Sequence, residues 1–195
     1  MEVGASDKPG AVQLRSIADA FNNLDRRAEH EPVRLSTLVE EVYVLQSHVF
    51  AGLGIAAEIT GDESAEVRTD AALLQHVILN VVANAAEAMR EDSDKACEYP
   101  VIRCAITGDE EAIELRLMNN GPPITIFEPE RLFEKGFTTK PRGVGHGLGL
   151  HMCRLVMTFL GGAVTLLPAS ELDPDMQVGF LVRLPRVRRV DWELA

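Results

Sequence analysis

The stretch from Asp70 to Met89, DAALLQHVILNVVANAAEAM, constrains the fold of this chain more than any other. Leu74, Val77, Ile78, Val81, Ala85 and Ala88 recur at the 3.6-residue spacing of a helix with one apolar face, and Asp70 stands where an N-cap belongs. Such a face must be covered, so the helix is predicted to be packed against other elements. The opposite side carries Asn80 and Asn84, four residues apart and therefore on one face, with Glu87 on the same side. An amide oxygen is a hard ligand suited to Mg²⁺, a cation that shares its coordination sphere with nucleotide phosphates. Taken alone, the same residues equally describe a polar helix face turned to water.

The remaining elements fall around this helix. The apolar residues Leu14, Ile17, Ala18, Phe21 and Leu24 predict a helix from Val12 to about Ala28, stopped by EHEP at Pro32. Ser36, with Glu40 soon after, reads as the N-cap of a helix running through Val42, Leu45 and Phe50, broken by Gly52 and Gly54. Strands are predicted at IAAEIT, VIRCAI (101–106), AIELRLM (112–118), AVTLLP and VGFLVRLP, and a further helix from Leu148 to Leu160. Between Asn119 and Gly147 lies a long segment of little periodicity; loops of that length in a compact domain are usually functional. No internal repeat is visible. Mixed strands with helices gathered beside them predict a two-layer α/β sandwich with a mixed, mostly antiparallel sheet.

Composition narrows the function classes. With 46% hydrophobic and 25% charged residues, the 195-residue chain has the profile of a soluble globular protein. A net charge of −11 argues against nucleic acid as a partner, since phosphate neutralisation needs clustered Lys and Arg. An acidic chain that binds a polyphosphate must gather positive potential locally, and Lys140 and Arg142 stand where it could do so. No apolar run reads as a membrane span and no signal peptide opens the chain. Cys97, Cys104 and Cys153 are odd in number and lack metal-type spacing, which suggests reduced thiols and a cytoplasmic compartment.

Two more motifs carry chemistry. In MNNGPPI, Asn119 ends a strand, where its side-chain carbonyl can accept from the exocyclic amine of a base, and Gly121 lets backbone approach a planar ligand closely. In LFEKGFTTKPRGVGHGLGL, Gly143, Gly145, Gly147 and Gly149 alternate just before a helix, leaving backbone N–H groups free to face phosphate oxygens at its positive end. Each motif taken singly is also compatible with an ordinary turn or loop.

Their order is what makes them specific. LQHVILNVVANAAEAM, NNGPPI, LFEKGFTTK and GHGLGL resemble, in sequence, the N, G1, F and G2 boxes of the ATP-binding catalytic domain of bacterial two-component sensor histidine kinases. That domain belongs to the Bergerat (GHKL) superfamily shared with gyrase B and the heat-shock 90 chaperones. The resemblance covers about residues 33–186 and implies a Bergerat sandwich with a mobile ATP lid. It implies ATP and Mg²⁺ as cofactors, with Asn84 as the metal ligand, Asn80 its neighbour facing the phosphates, and Asn119 facing adenine. Asn80, Asn84 and Lys140 would be the catalytic residues. Thr138, Thr139 and Lys140 would belong to the lid, and Gly143, Gly145, His146, Gly147, Leu148 and Gly149 would pass the triphosphate. Glu87, Gly121 and Ile124 complete the implied nucleotide site. The implied organisation is a disordered start and the tail of a dimerisation-type helix over 1–32, the ATP-binding domain over 33–188 and a C-terminal tail over 189–195. The implied partners are a histidine-bearing dimerisation domain and a response-regulator receiver domain. The parent would be a homodimer, with a cytoplasmic catalytic part and possible membrane anchoring elsewhere; this chain by itself would be monomeric.

Position 80 separates members of the superfamily. Those that hydrolyse ATP, and the related serine kinases, resemble one another in placing a glutamate four residues before the magnesium asparagine, because water and hydroxyls need a general base. This chain has Asn80, which suits a histidine acceptor whose imidazole already offers a lone pair. Two departures stand beside this: Asn119 replaces the usual aspartate, and Pro123 the usual second glycine. None of His30, His48, His76, His146 and His151 sits in a phosphoacceptor pattern, since Pro32 directly follows His30-Glu31. The acceptor is therefore expected to come from elsewhere. A nucleotide-binding module acting through protein contacts, and a stand-alone ATPase or serine kinase, are the competing readings.

Overall fold

In the computed structural model the described residues are 31–91, 99–139 and 147–186. The chain divides into two compact units, residues 1–30 and 31–195, and all described residues belong to the second. The helix predicted over 12–28 lies outside the described residues, as do His30, Cys97, Lys140, Gly143, Gly145, His146 and the 189–195 tail.

In chain order the elements are β1 (Glu31–Arg34), α1 (Leu35–Leu53), β2 (Ala56–Gly61), β3 (Glu66–Thr69), α2 (Ala71–Glu91), β4 (Val101–Gly108), β5 (Ala112–Asn119), α3 (Gly149–Phe159), β6 (Ala163–Leu166) and β7 (Val178–Pro185). Short 3₁₀ turns lie at Pro129–Phe133 and Ala169–Glu171. Five strands form an open sheet in the order β2-β4-β5-β7-β6, in which β2 and β4 are parallel and every other pair is antiparallel. β1 and β3 make a separate antiparallel pair. Helices packed on a mixed sheet are the two-layer α/β sandwich predicted from the strand order.

Burial explains the layering. On β4, Ile102, Cys104 and Ile106 face inward while Val101, Arg103 and Ala105 alternate outward. β5 and β7 add Ile113, Leu115, Leu117, Phe180, Val182 and Leu184 to the inner face. Against it lie Leu35, Leu38, Val39 and Val42 of α1 and Leu74, Val77, Ile78, Val81 and Val82 of α2. By length and composition alone Ala71–Arg90 meets the minimum for a membrane span, contrary to the sequence reading; here it is a core helix, with these apolar side chains committed to the sheet and to its neighbours.

The other face of the sheet carries a smaller apolar cluster. Met118, Leu167 and Met176 are buried there, with Val101, Ala105, Leu172 and Leu181 packed around them. The β6–β7 connection folds across this face and is fastened by Arg103. Its guanidinium bonds Glu58 at 2.8 Å, Asp173 at 2.8 Å and Asp175 at 2.9 Å. The side chain of Arg103 is only 17% exposed, so these bonds are charge-assisted and partly shielded from water.

Several predicted boundaries move for identifiable reasons. Asp70 caps α2 as expected, its Oδ1 accepting the Leu73 N–H at 3.0 Å. Ser36 does not cap α1: the helix starts one residue earlier, Arg34 holds the cap position without a side-chain bond, and the Ser36 hydroxyl donates to the Glu63 carbonyl at 2.8 Å. Gly52 lies inside α1. Gly54 ends it, adopting φ +67° so that its N–H reaches the Phe50 carbonyl. Pro32 sits in β1, where a missing N–H is tolerated in an edge strand, and the helix it was expected to stop lies outside the described residues. β1 and β3 have four residues each, too short to show an alternation in sequence.

Candidate functional site

Residues of motifs spread over some seventy positions come together around α2. The contacts are close enough to be seen in what a side chain would strike. A Cβ on Gly149, the first residue of α3, would lie 2.5 Å from the Asn80 Oδ1. A Cβ on Gly121 would lie 2.9 Å from the Met89 Cγ and 3.0 Å from the Asn119 Oδ1. The start of α3 therefore abuts α2 at Asn80, and the loop after β5 abuts it at Met89. Nine residues of helix separate these contacts, roughly 13 Å at 1.5 Å per residue. Asn84 and Glu87, both half-buried, share the Asn80 side of α2, whereas Met89 lies on the opposite side.

The remaining wall is made by the turn around Gly136. Its N–H donates to the Gly147 carbonyl at 2.9 Å, and a Cβ on Gly147 would lie only 2.3 Å from the Gly136 carbonyl carbon. Gly147 also has φ +61°, a conformation that L side chains rarely adopt. The segment leading to this turn is anchored by Phe133, which is buried and packs edge-to-face on Phe180 at 6.3 Å. The Phe133 carbonyl lies 3.0 Å from the His151 Nδ1, and the Arg154 guanidinium lies over its ring at 5.9 Å. His151 thus ties α3 to the Pro129–Phe133 turn.

The end of α3 is prepared for negative charge. Leu148 holds the cap position and offers no side-chain acceptor, so its side chain does not cap the first-turn N–H groups. A helix start without a side-chain cap, packed through glycine against the amide of Asn80 and one turn from the amide of Asn84, has the chemistry to receive phosphate oxygens. For a magnesium ion the fit is of a particular kind. Among the described residues no group of three or more His, Cys, Asp or Glu could hold a metal, so the neutral amide of Asn84 would have to share the ion with phosphate oxygens.

At the far end, Asn119 is 6% exposed. Its Oδ1 accepts the Gly121 N–H at 3.0 Å and its backbone carbonyl accepts the Gln177 N–H at 2.9 Å. Asn120 pins the same loop to β4: its Oδ1 accepts the Val101 N–H at 2.7 Å and its Nδ2 donates to the Tyr99 carbonyl at 2.8 Å. Met89, Asn120 and Gly136 were not singled out from sequence, although each lies inside a quoted motif: LQHVILNVVANAAEAM, NNGPPI and LFEKGFTTK.

Not every predicted residue joins this site. Thr138 and Thr139 are exposed beyond the Gly136 turn. Glu87 has its carboxylate 3.8 Å from the Arg90 guanidinium, one turn further along α2. Ile124 lines a separate cleft of about 390 Å³ with Pro123, Leu166, Leu172, Met176 and Val178, none of which belongs to α2. Lys140, Gly143, Gly145 and His146, the lid residues of the sequence reading, lie outside the described residues.

The two-component sensor PprA of Pseudomonas aeruginosa is 34% identical over 119 residues, which cover 61% of this chain and 12% of PprA. The sensory histidine kinase/phosphatase NtrB of Rhizobium leguminosarum bv. phaseoli is 30% identical over 148 residues, covering 71% of this chain and 38% of NtrB. The chain thus spans well under half the length of these relatives. Among solved structures, the nucleotide-free catalytic domain of the histidine kinase ThkA superposes with a TM-score of 0.66 at 27% identity, covering 80% of this chain and 97% of that domain. The model of the histidine kinase-, DNA gyrase B-, and HSP90-like ATPases matches residues 69–188, from the last residue of β3 past the end of β7. The chain belongs to that ATPase family.

Proposed function

We propose that this chain is the catalytic domain of a sensor histidine kinase, transferring the γ-phosphate of Mg-ATP to a histidine carried by a dimerisation domain outside the chain. The observation that supports it most is that α2 receives two of the motifs, Gly149 at the start of α3 packing on Asn80 and the Asn119–Gly121 loop packing on Met89. Family membership supports ATP as the nucleotide, and the relatives named as sensor kinases support the two-component setting. On this reading the parent protein is a homodimer that passes phosphate to a receiver domain, and the catalytic domain works on the cytoplasmic side.

Magnesium, when bound with the nucleotide, would neutralise charge on the outer phosphates. This chain's own contribution is positioning. Asn84 would offer the amide oxygen for the ion, the start of α3 would face phosphate oxygens, and Lys140, expected in the lid, would supply a charge. Asn80 cannot remove a proton. Its Oδ1 rests against Gly149, so it braces the start of α3 where a general base would otherwise stand. Glu87 is paired with Arg90 and lies C-terminal to Asn84. A site so built favours an imidazole nucleophile over water or serine.

Calorimetric titration with a non-hydrolysable ATP analogue, with and without Mg²⁺, tests the reading. Binding that strengthens with magnesium is expected, and Asn84→Ala is expected to remove the magnesium-dependent part. No binding at millimolar nucleotide would overturn the kinase reading. Sustained phosphate release without an acceptor protein would replace it with an ATPase.

A further inference from the structure

The two amide atoms of Asn119 are not equivalent in this site. Oδ1 accepts the Gly121 N–H at 3.0 Å, inside a loop whose Gly121 is itself buried. Turning the amide over would leave that N–H facing an NH₂ group, two donors with no acceptor between them, in a place closed to water. The backbone cannot shift to relieve it, because Gln177 holds the Asn119 carbonyl and Asn120 is bonded to both polar groups of Val101. Nδ2 is therefore the atom that Asn119 presents, and no described residue accepts from it. The end of β5 offers a fixed donor where a carbonyl acceptor was expected from sequence.

Purine bases differ in what they show at position 6. Adenine carries an amine there, which donates; guanine and hypoxanthine carry a carbonyl, which accepts. A fixed NH₂ group meets the 6-amine as donor against donor, and meets a 6-oxo group as donor to acceptor. Adenine keeps a weaker option, acceptance through its ring N1. An aspartate would behave oppositely: one oxygen would hold the Gly121 N–H and the other would accept from the amine.

We propose that Asn119, held by Gly121, sets the base preference of this site and admits 6-oxopurine nucleotides on at least equal terms with adenine nucleotides. This rests on the nucleotide-binding reading given above and specifies its substrate class. Sites that hydrogen-bond a substrate edge discriminate strongly against the mismatched edge, so the effect should be large enough to measure by binding alone.

The test is calorimetric titration of the chain with ATP and with ITP, both with Mg²⁺, because the two differ only at position 6 and the adjoining ring nitrogen. ITP is expected to bind the native chain as tightly as ATP or more tightly. Asn119→Asp is expected to move the ratio of the two dissociation constants toward ATP by about tenfold or more. GTP should follow ITP unless its 2-amine meets an obstruction, in which case ITP decides. ATP binding tenfold or more tighter than ITP by the native chain would overturn the proposal while leaving the kinase reading intact. An unchanged ratio in a folded Asn119→Asp variant, checked by its thermal melt, would also overturn it; should that variant not fold, the native ratio decides. Binding of neither nucleotide would remove the nucleotide reading and this proposal with it.

Discussion

Thr69 shows how a single side chain can carry an uncompensated cost. It ends β3, is 4% exposed, and its hydroxyl has no hydrogen-bond partner among the described residues. Replacing such a group by an isosteric methyl removes the desolvation penalty, so Thr69→Val is expected to stabilise the fold by about 1 kcal/mol. The shift of the urea midpoint at unchanged slope measures it; a lower midpoint would mean that the hydroxyl has a partner after all. Gly147 is the opposite case, where no side chain is tolerated. Its φ of +61° and the Gly136 carbonyl 2.3 Å from a would-be Cβ leave two ways to accommodate alanine, both of which pull the start of α3 away from the Gly136 turn. Gly147→Ala is expected to weaken nucleotide binding by about tenfold or more, on the basis of backbone strain of about 1–3 kcal/mol. Titration alongside a thermal melt separates lost affinity from lost folding. Neither role was legible in the sequence: Thr69 ends a strand too short to see, and the neighbour of Gly147 lies eleven positions away.

Among the elements, the β6–β7 connection is the one whose placement depends most on charge. Arg103 reaches from β4 to Glu58 of β2 and to Asp173 and Asp175 of the connection, closing the outer apolar cluster. The hydrogen bonds from Arg103 hold the Asp175 carboxyl below its ordinary value of 3.8. A depressed folded-state value means that this stabilisation is fully present above the unfolded carboxylate range and is lost as pH falls through the folded one. Arg103→Ala is expected to cost about 1–2 kcal/mol at neutral pH, given a charged donor with three partly exposed acceptors. It should also flatten the fall in stability between pH 5 and pH 2, which urea midpoints across that range would show; an unchanged slope would place the acid sensitivity elsewhere. Asp62 and Asp109 remain in either protein, their carboxyls lowered by hydrogen bonds within their own turns, from Ser64 and from Ala112 and Glu111. Elements with long periodic patterns were legible in advance, and α2, β5 and β7 begin and end within about two residues of their predicted limits. The pairing order β2-β4-β5-β7-β6 was not, because strand neighbours are chosen by contacts that no local pattern encodes.

For the molecule as a whole, the shared core of sheet and helices can be followed through two thiols. Cys104 on β4 and Cys153 on α3 are buried, and burial pushes both up to about 12. In a Cys97→Ser background neither should react with a thiol reagent at pH 8 in the folded protein, and both should label at the rate of global unfolding as urea is raised. Fast labelling of one thiol alone would reveal an opening of its layer independent of the other. The sequence by itself determined the class of this protein: a helix with an apolar stripe and two amides, a strand ending in NNG, and alternating glycines before a helix each follow from local spacing, and their order made the ATP site recognisable. What only the tertiary structure decided is how that site is closed and which atom it presents. The glycines at 121, 147 and 149 are required by neighbours brought from β5, from α2 and from the Gly136 turn, and Asn119 shows its amine because Gly121 has taken its oxygen. Such choices depend on distances between residues far apart in the chain and on which donor a shared acceptor serves, and those are fixed only when the layers pack.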